Sequence, residues 1–549
     1  MNRLHLAGAM LALALLVSAF STLPEYSRQV DPPYPPQAAP TDTTLCPALF
    51  TPGTATVHNV TELIQAVNNA SPGATILIAD GTYNFYSGNY LWISASGVTL
   101  RSASGNRDAV IIDGNYEATE LITIAASNVT IADLTLQHAY THPIHVVTGD
   151  ENTENTLIYN VHIIDPREQG IKINPNGTGF PDNGIIACSH IELTDAGRPH
   201  VNPTSGGCYT GGVDAHQARG WTIRDNLIEG FWCDSGLSEH GIHMWRGCRD
   251  TTVERNQLNN NARGIGFGLA TDGSGRTYSD NPCPSAVGYV DDFGGIIRNN
   301  FVFANDASLF ASNSSFDSGI SLWNSCGTQV LHNTVASTQT PSASSIEWRF
   351  DNTDVDIIHN LVTYRLWDRG GTFNLVDNLE YQPLSLFVDG SNGDLHLVST
   401  ATAALDQVTA PTDVTDDFDG NSRPIGSAAD IGADEYGIPA PAAVTDLRVS
   451  NALTGTGTLT TTLRWTPPTN ALTTTLRYST SPITPGNWNS ATLLTNALSG
   501  SADTYLAVIP YSGGTVYFAL KTKGVGGESA LSNIAFWPFK NVYLPLIFK

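Results

Sequence analysis

The sequence predicts an all-β chain: a solenoid of short parallel strands followed by a small β-sandwich. Three observations carry this. A unit with an Asn among apolar positions recurs at Asn160 ("LIYNVHI"), Asn226 ("TIRDNLI"), Asn256 ("TVERNQL"), Asn300 ("IIRNNFV"), Asn333 ("QVLHNTV") and Asn360 ("DIIHNLV"). A second unit, usually Gly followed by a short alternating strand, recurs as "QGIKIN", "GGVDAHQ", "HGIHMW", "RGIGFG" and "SGISLW", with weaker members "HPIHVV" and "SSIEWRF". Beyond residue 441, alternating strands follow one another at short intervals, as in a sandwich.

One strand of each kind per turn lets inward Val, Ile and Leu stack along a common axis. A recurrent corner Asn can then bond the backbone of the neighbouring turn. The spacing is irregular, from 23 residues between Ile242 and Ile265 upward, with insertions at 195–211 and 269–295.

In chain order, Arg3, the apolar run from Leu6 to Phe20, and Val17 and Ala19 read as a secretory signal cut after Ala19. The run is short for a membrane span. Residues 20–52, rich in Pro and Thr, read as a flexible leader. In "NVTELIQAVNNA", Thr61 is the expected cap of a short helix with Leu63, Ile64 and Val67 on one side. "ATILIADGTY" is a strand stopped by Asp80-Gly81. The solenoid then runs over 53–437 and the sandwich over 441–537. The tail 538–549 reads as a sorting tail or a final strand.

The 549-residue chain has a formal net charge of −25, which argues against nucleic acid and anionic membrane as partners. An acidic polysaccharide stays possible through a local basic groove. Seven cysteines in an exported protein allow at most three disulfides, and isolated Cys46 is the expected free thiol.

The helix, the "ILIADGTY" strand, the Asn turns and the Gly-Ile strands resemble right-handed parallel β-helix proteins of the pectate-lyase-like superfamily, over about residues 53–436. "DFDGNSRPIGSAADIGADEYG", Asp417 to Gly437, looks like the segment that closes many secreted bacterial β-helices. Leu447, Trp465, Tyr478 and Tyr517 resemble a fibronectin type III domain. The resemblance makes polysaccharide lyases the first analogy, with glycoside hydrolases and non-catalytic glycan-binding adhesins as the rivals. Fold alone does not choose among them.

Aligning the Gly-Ile strands on their inward residue gives an outward column of His145, Lys172, Asp214, His243, Gly266, Ser321 and Glu347. The column two residues on reads Val147, Asn174, His216, Trp245, Gly268, Trp323 and Arg349. Turns about 4.8 Å apart place the polar members within one sugar-sized patch. Gly266 and Gly268 would leave an open floor on which a sugar ring could lie, with Trp245 or Trp323 as the stacking face. The two insertions would wall a groove and bring Arg198 and His200 over it.

Removing the proton beside a uronate carboxylate needs a base, a group that neutralises the carboxylate, and an acid for the leaving oxygen. Lys172, His216 or His243 could be the base. Arg246, Arg263 or a bound calcium ion could neutralise the carboxylate. Asp214 could orient a histidine or hold calcium. His145, Asn174, Arg198, His200, Arg219, Glu239, His240 and Trp245 are candidate substrate contacts. "DGSGRTYSD" at 272–280 hints at a calcium turn. Hydrolysis would require two carboxylates, for which Asp214 and Glu239 are the obvious pair. His162, His190, His332 and His359 recur beside the Asn positions and read as structural, as do Trp323 and Trp348. Glu347 and Arg349 read as a surface ion pair.

These expectations give an exported protein, secreted or held at the cell surface through its C-terminal region, acting on a polysaccharide.

Overall fold

The computed structural model describes residues 45–202, 207–437, 441–524 and 527–538. The expected signal segment, the first part of the leader and the last eleven residues of the tail lie outside them.

The solenoid is a right-handed parallel β-helix built from three sheets, one 13-stranded and two 10-stranded. The third sheet concerns function. Its strands are Leu91–Ile93, Ile122–Ile124, Ile144–Thr148, Gln169–Pro175, Gly211–His216, Ile242–Trp245, Arg263–Phe267, Ser318–Trp323, Ser344–Arg349 and Leu366–Arg369. Side chains alternate across each strand, so every second residue enters the core. Ile122, Ile144, Ile171, Val213, Ile242, Ile265, Ile320 and Ile346 stack in register and are fully buried.

Helix Val60–Asn68 covers the first turns, with Leu63 and Val67 joining the core. Its cap is Asn59 rather than Thr61. The Asn59 side chain accepts from the Glu62 backbone N–H at 3.0 Å, while Glu62 accepts from the His58 N–H at 2.8 Å. This exchange satisfies free N–H groups at the helix start, which the position of Thr61 does not allow.

The Asn positions form a continuous ladder. Asn226 donates to Asn256 at 2.9 Å, Asn256 to Asn300 at 3.0 Å, and Asn300 to Asn333 at 2.9 Å. Asn333 donates to Asn360 at 3.0 Å and Asn360 to Asn378 at 2.9 Å. Each also binds the backbone of the preceding turn, as Asn300 does at Val253 O. Asn160 departs from the expected set. It occupies the preceding corner position, with φ of 50°, and Val161 stands where the ladder would pass. Asn tolerates this left-handed conformation better than most residues, so corner and ladder positions both attract it.

Segment Asp417–Gly437 lies along the outward face of the second sheet, the 10-stranded one that contains His162–Ile164, His190–Glu192 and Phe301–Ala304, rather than across the end of the coil. Phe301 and Phe303 pack there with Phe418, Ile431 and Ala433. The buried Arg423 guanidinium ties the segment to itself and to the coil, donating to Glu435 at 2.7 Å and to His332 at 3.0 Å. Part of the expected leader is likewise fixed. Arg101 donates to Thr51 O, Tyr159 to Pro47 O, and Cys46 is bonded to Cys188. Cys46 is therefore not the free thiol. Cys208–Cys233 and Cys283–Cys326 complete the disulfides, and buried Cys248 is free. Cys46 is isolated in sequence because its partner is 142 residues away.

After residue 441, two antiparallel sheets enclose Leu447, Leu459, Leu463, Trp465, Leu476, Phe518 and Leu520. Among the described residues, no helix is long and apolar enough to cross a membrane.

Candidate functional site on the outer face of the third sheet

The strand register stacks His145, Lys172, Asp214, His243, Gly266, Ser321 and Glu347 as one column. Trp92 and Thr123 extend it toward the N-terminus. The column is not open to solvent as expected. Lys172, Asp214, His243, Ser321 and Glu347 are buried, although all face away from the core. Tyr209, His216, Trp245 and Glu239 are half-buried, and Arg246 is exposed.

Lys172 is the centre of the cluster. Its ammonium forms an ion pair with Asp214, lies 3.1 Å from His216 Nε2, and lies 3.4 Å from the Tyr209 hydroxyl. The other Asp214 oxygen accepts from the Trp245 indole at 2.7 Å. An ammonium can only donate, so His216 Nε2 accepts and the ring proton sits on Nδ1. The Trp245 indole stacks on His243 with centroids 5.1 Å apart, and the Arg246 guanidinium lies 4.7 Å from the Trp245 ring.

The charges follow from these contacts. Burial opposes ionisation of both Lys172 and Asp214, but their mutual attraction wins: the Lys172 pKa rises and that of Asp214 falls well below the carboxylate range. Lys172 thus keeps its proton at neutral pH. Burial lowers the His216 pKa despite Asp214, so that imidazole is neutral. His243 is raised instead, because Glu239 and Asp214 outweigh burial. The Tyr209 pKa is raised by burial, so its phenol stays protonated.

His145 stands one rung from Lys172, between Glu120 at 2.7 Å and Asn174 at 2.7 Å. Arg263 pairs with Asp317 at 3.0 Å, with its guanidinium 5.0 Å from the Trp323 ring. Asp214 and Glu239 are not an opposed pair across a gap. Both approach His243 Nδ1, at 4.0 and 3.0 Å.

Several candidates lie elsewhere. Arg198 and His200 line a separate cavity of about 860 Å³ with Tyr116, Arg167 and Trp232. Arg198 is spent there on the carbonyls of Gly230 and Trp232, each at 2.7 Å, and His200 stacks on Tyr116. Arg219 sits near Asp250, at 3.5 Å, and bridges in the first-sheet region to Asp182 and Arg249. The expected open floor is filled. A Cβ on Gly266 would lie 2.5 Å from the His240 ring, and one on Gly268 1.9 Å from Trp323 O. Glu347 pairs with Arg369 at 2.8 Å instead of Arg349, and accepts from the buried Trp323 indole at 2.7 Å. Trp348 is in the core. At 272–280, Asp280 pairs with Arg249 at 2.7 Å and Arg276 ties the loop to Asp182 at 2.6 Å.

His162 pairs with Glu192 and His190 with Glu229, each at 2.8 Å, and the two rings stack. His332 and His359 are 2.9 Å apart beside the Asn ladder. Sequence reasoning passed over Tyr209 and Trp92. The adjoining Cys208 fixes one end of the insertion carrying Tyr209. Trp92 was legible from the alternation in "LWI".

The fold and this cluster define a right-handed parallel β-helix protein with a charged, largely roofed constellation on one sheet. No protein-family model matches the chain, and no curated protein matches it. Among solved structures it is similar to pectate lyase Pel9A, with TM-score 0.47, 15% identity, and coverage of 68% of this chain and 90% of that one. An alginate lyase from Paenibacillus sp. str. FPU-7 gives TM-score 0.39 and 16% identity over 59% and 97%. PfbA, a surface adhesin of Streptococcus pneumoniae, gives 0.35 and 11% over 60% and 90%. The likeness is one of fold.

Proposed function

We propose that the protein is an exported lyase that cleaves an acidic, uronate-containing polysaccharide by β-elimination. The observation that carries this reading is the neutral, half-buried His216, 3.1 Å from the Lys172 ammonium and close to Arg246. Two cations beside a neutral base suit a substrate whose carboxylate adjoins the proton to be removed.

A uronate carboxylate reaching this edge takes over the Lys172 hydrogen that His216 Nε2 accepts, and Nε2 is released as a base. It removes the proton from the carbon beside the carboxylate. The electron pair forms the carbon–carbon double bond as the glycosidic carbon–oxygen bond breaks. The leaving oxygen takes its proton from the Tyr209 phenol. Asp214 holds Lys172 and Trp245 in place, and with Lys172 on it is not free to act as a hydrolytic nucleophile. Toward the N-terminus, exposed Trp92 and Tyr90 line a hollow of about 360 Å³ with Glu120, and so offer a stacking surface on the same face.

A binding-only role is the second reading, favoured by the burial of Lys172, Asp214 and His243. The fibronectin-like module would serve as a spacer or surface attachment in either case.

The test incubates the exported chain with acidic and neutral polysaccharides, with and without calcium, following ultraviolet absorbance of unsaturated ends and new reducing ends. Both signals on a uronate polymer, lost in His216→Ala, support the lyase. Reducing ends alone point to hydrolysis, and retention without cleavage to a binding protein.

A further inference from the structure

Beside this cluster, three ligand-type residues converge in the sequence "EHGIH". Glu239 and His240 precede the Ile242–Trp245 strand, and His243 points outward from it. One ligand atom from each lies within 4.8 Å of the others. His240 is fully buried, and neither of its ring nitrogens has a hydrogen-bond partner among the described residues. An imidazole in that position is costly unless something takes its lone pair.

His243 supplies a second, independent sign. Its Nε2 is 3.2 Å from Gly268 O, and since a carbonyl only accepts, Nε2 carries a proton. Its Nδ1 is therefore directed at Glu239 Oε2, 3.0 Å away. A backbone carbonyl that fixes one nitrogen and orients the other is the outer support a metal-bound histidine commonly has. The spacing of 3.0 Å between nitrogen and oxygen suits two ligands of one small ion with bonds of about 2.0–2.2 Å. The His240 ring is seated close over Gly266, which lacks the Cβ that would displace it.

We propose that Glu239, His240 and His243 bind a divalent transition-metal ion of the zinc or cobalt class. Two imidazoles and one carboxylate match the preference of such ions. Calcium, which takes six to eight oxygen ligands, does not fit this set. Glu239 is half-buried and gives the ion a route in, and a solvent molecule can complete four-coordination there. Asp214, 4.0 Å from His243, adds negative charge beside the site. This site does not depend on the lyase reading.

The full exported chain, stripped with chelator and dialysed, is titrated with cobalt(II) alone and followed by visible absorption, with zinc competition and circular dichroism as a check of fold. The expected result is a four-coordinate cobalt spectrum saturating at a single equivalent, displaced by zinc and not by calcium. His240→Ala and Glu239→Gln should each weaken binding by more than the roughly 10- to 100-fold that loss of an outer partner costs. Gly266→Ala, which pushes the His240 ring, tests the same point without removing a ligand. His190→Ala, in the second-sheet histidine group, should leave the signal unchanged. No cobalt spectrum from the folded wild-type chain overturns the proposal. So does a spectrum that persists in folded Glu239→Gln and Gly266→Ala, or one that calcium displaces.

Discussion

Lys172 and Asp214 occupy neighbouring rungs of one sheet and meet as a buried ion pair facing away from the core. The pair is closed by Trp245 on the Asp214 side and by His216 and Tyr209 on the Lys172 side. It therefore holds the shape of the site, and on the lyase reading the chemistry falls to the residues at its edge.

Removing Lys172 should damage stability as well as activity. Lys172→Ala leaves a buried carboxylate without its cation, a loss expected to cost about 3–5 kcal/mol. Denaturant melts should show it, whereas His216→Ala leaves the ion pair intact and should keep near-wild-type stability while losing turnover. The comparison separates structural from chemical damage.

The pH profile of cleavage should report His216. Its pKa is lowered by burial, so the base form persists through neutrality and the acid limb falls below the ordinary histidine value of about 6.5. Initial rates across the acid range check this. An acid limb above 6.5 would remove His216 from the role of base.

The Asn ladder should be most sensitive in its middle. Asn300→Ala removes an acceptor for the Asn256 N–H and a donor to Val253 O, both buried. At about 1–3 kcal/mol for each orphaned group, the loss should be at least about 2 kcal/mol. Asn378→Ala, at the half-buried end, should cost less in the same denaturant series.

His396 ties pH to stability in the C-terminal flank. Burial lowers its pKa, but Asp419 and its acidic neighbours outweigh this and raise it to about 10. A pKa raised on folding contributes stability that is full below about 6.5 and lost as pH rises toward 10. The gap in Tm between wild type and His396→Gln should therefore narrow across that window.

The alternation of "GGVDAHQ" and its relatives made the column legible, because a period of two leaves little freedom once inward Ile and Val are aligned. Burial was not legible. The roof comes from Tyr209 in an insertion and from His240 folding back over Gly266, contacts that no local period encodes. Arg198 and His200 were misplaced for the same reason: an insertion's position is written in the sequence, but its direction is not. His216 and Lys172 were legible as neighbours, while the locking of Lys172 by Asp214 needed the distances.

The first rung of the Asn ladder is Ser189, whose backbone N–H binds Asn226, and its neighbour Cys188 is bonded to Cys46. Ser189 Oγ in turn accepts from the Val161 N–H at 3.2 Å, but Val161 and Leu134, at the ladder's position in the preceding turns, carry no polar side chain to continue the row. The coil is thus fastened in two ways, by a single covalent clasp on the early turns and by a zipper of amides on the later ones. Reduction would open the clasp, together with Cys208–Cys233 and Cys283–Cys326 at the insertions, and would leave the amide zipper intact. Under reducing conditions the molecule should fray from its N-terminal side, and the zipper from Ser189 onward would mark where that fraying stops.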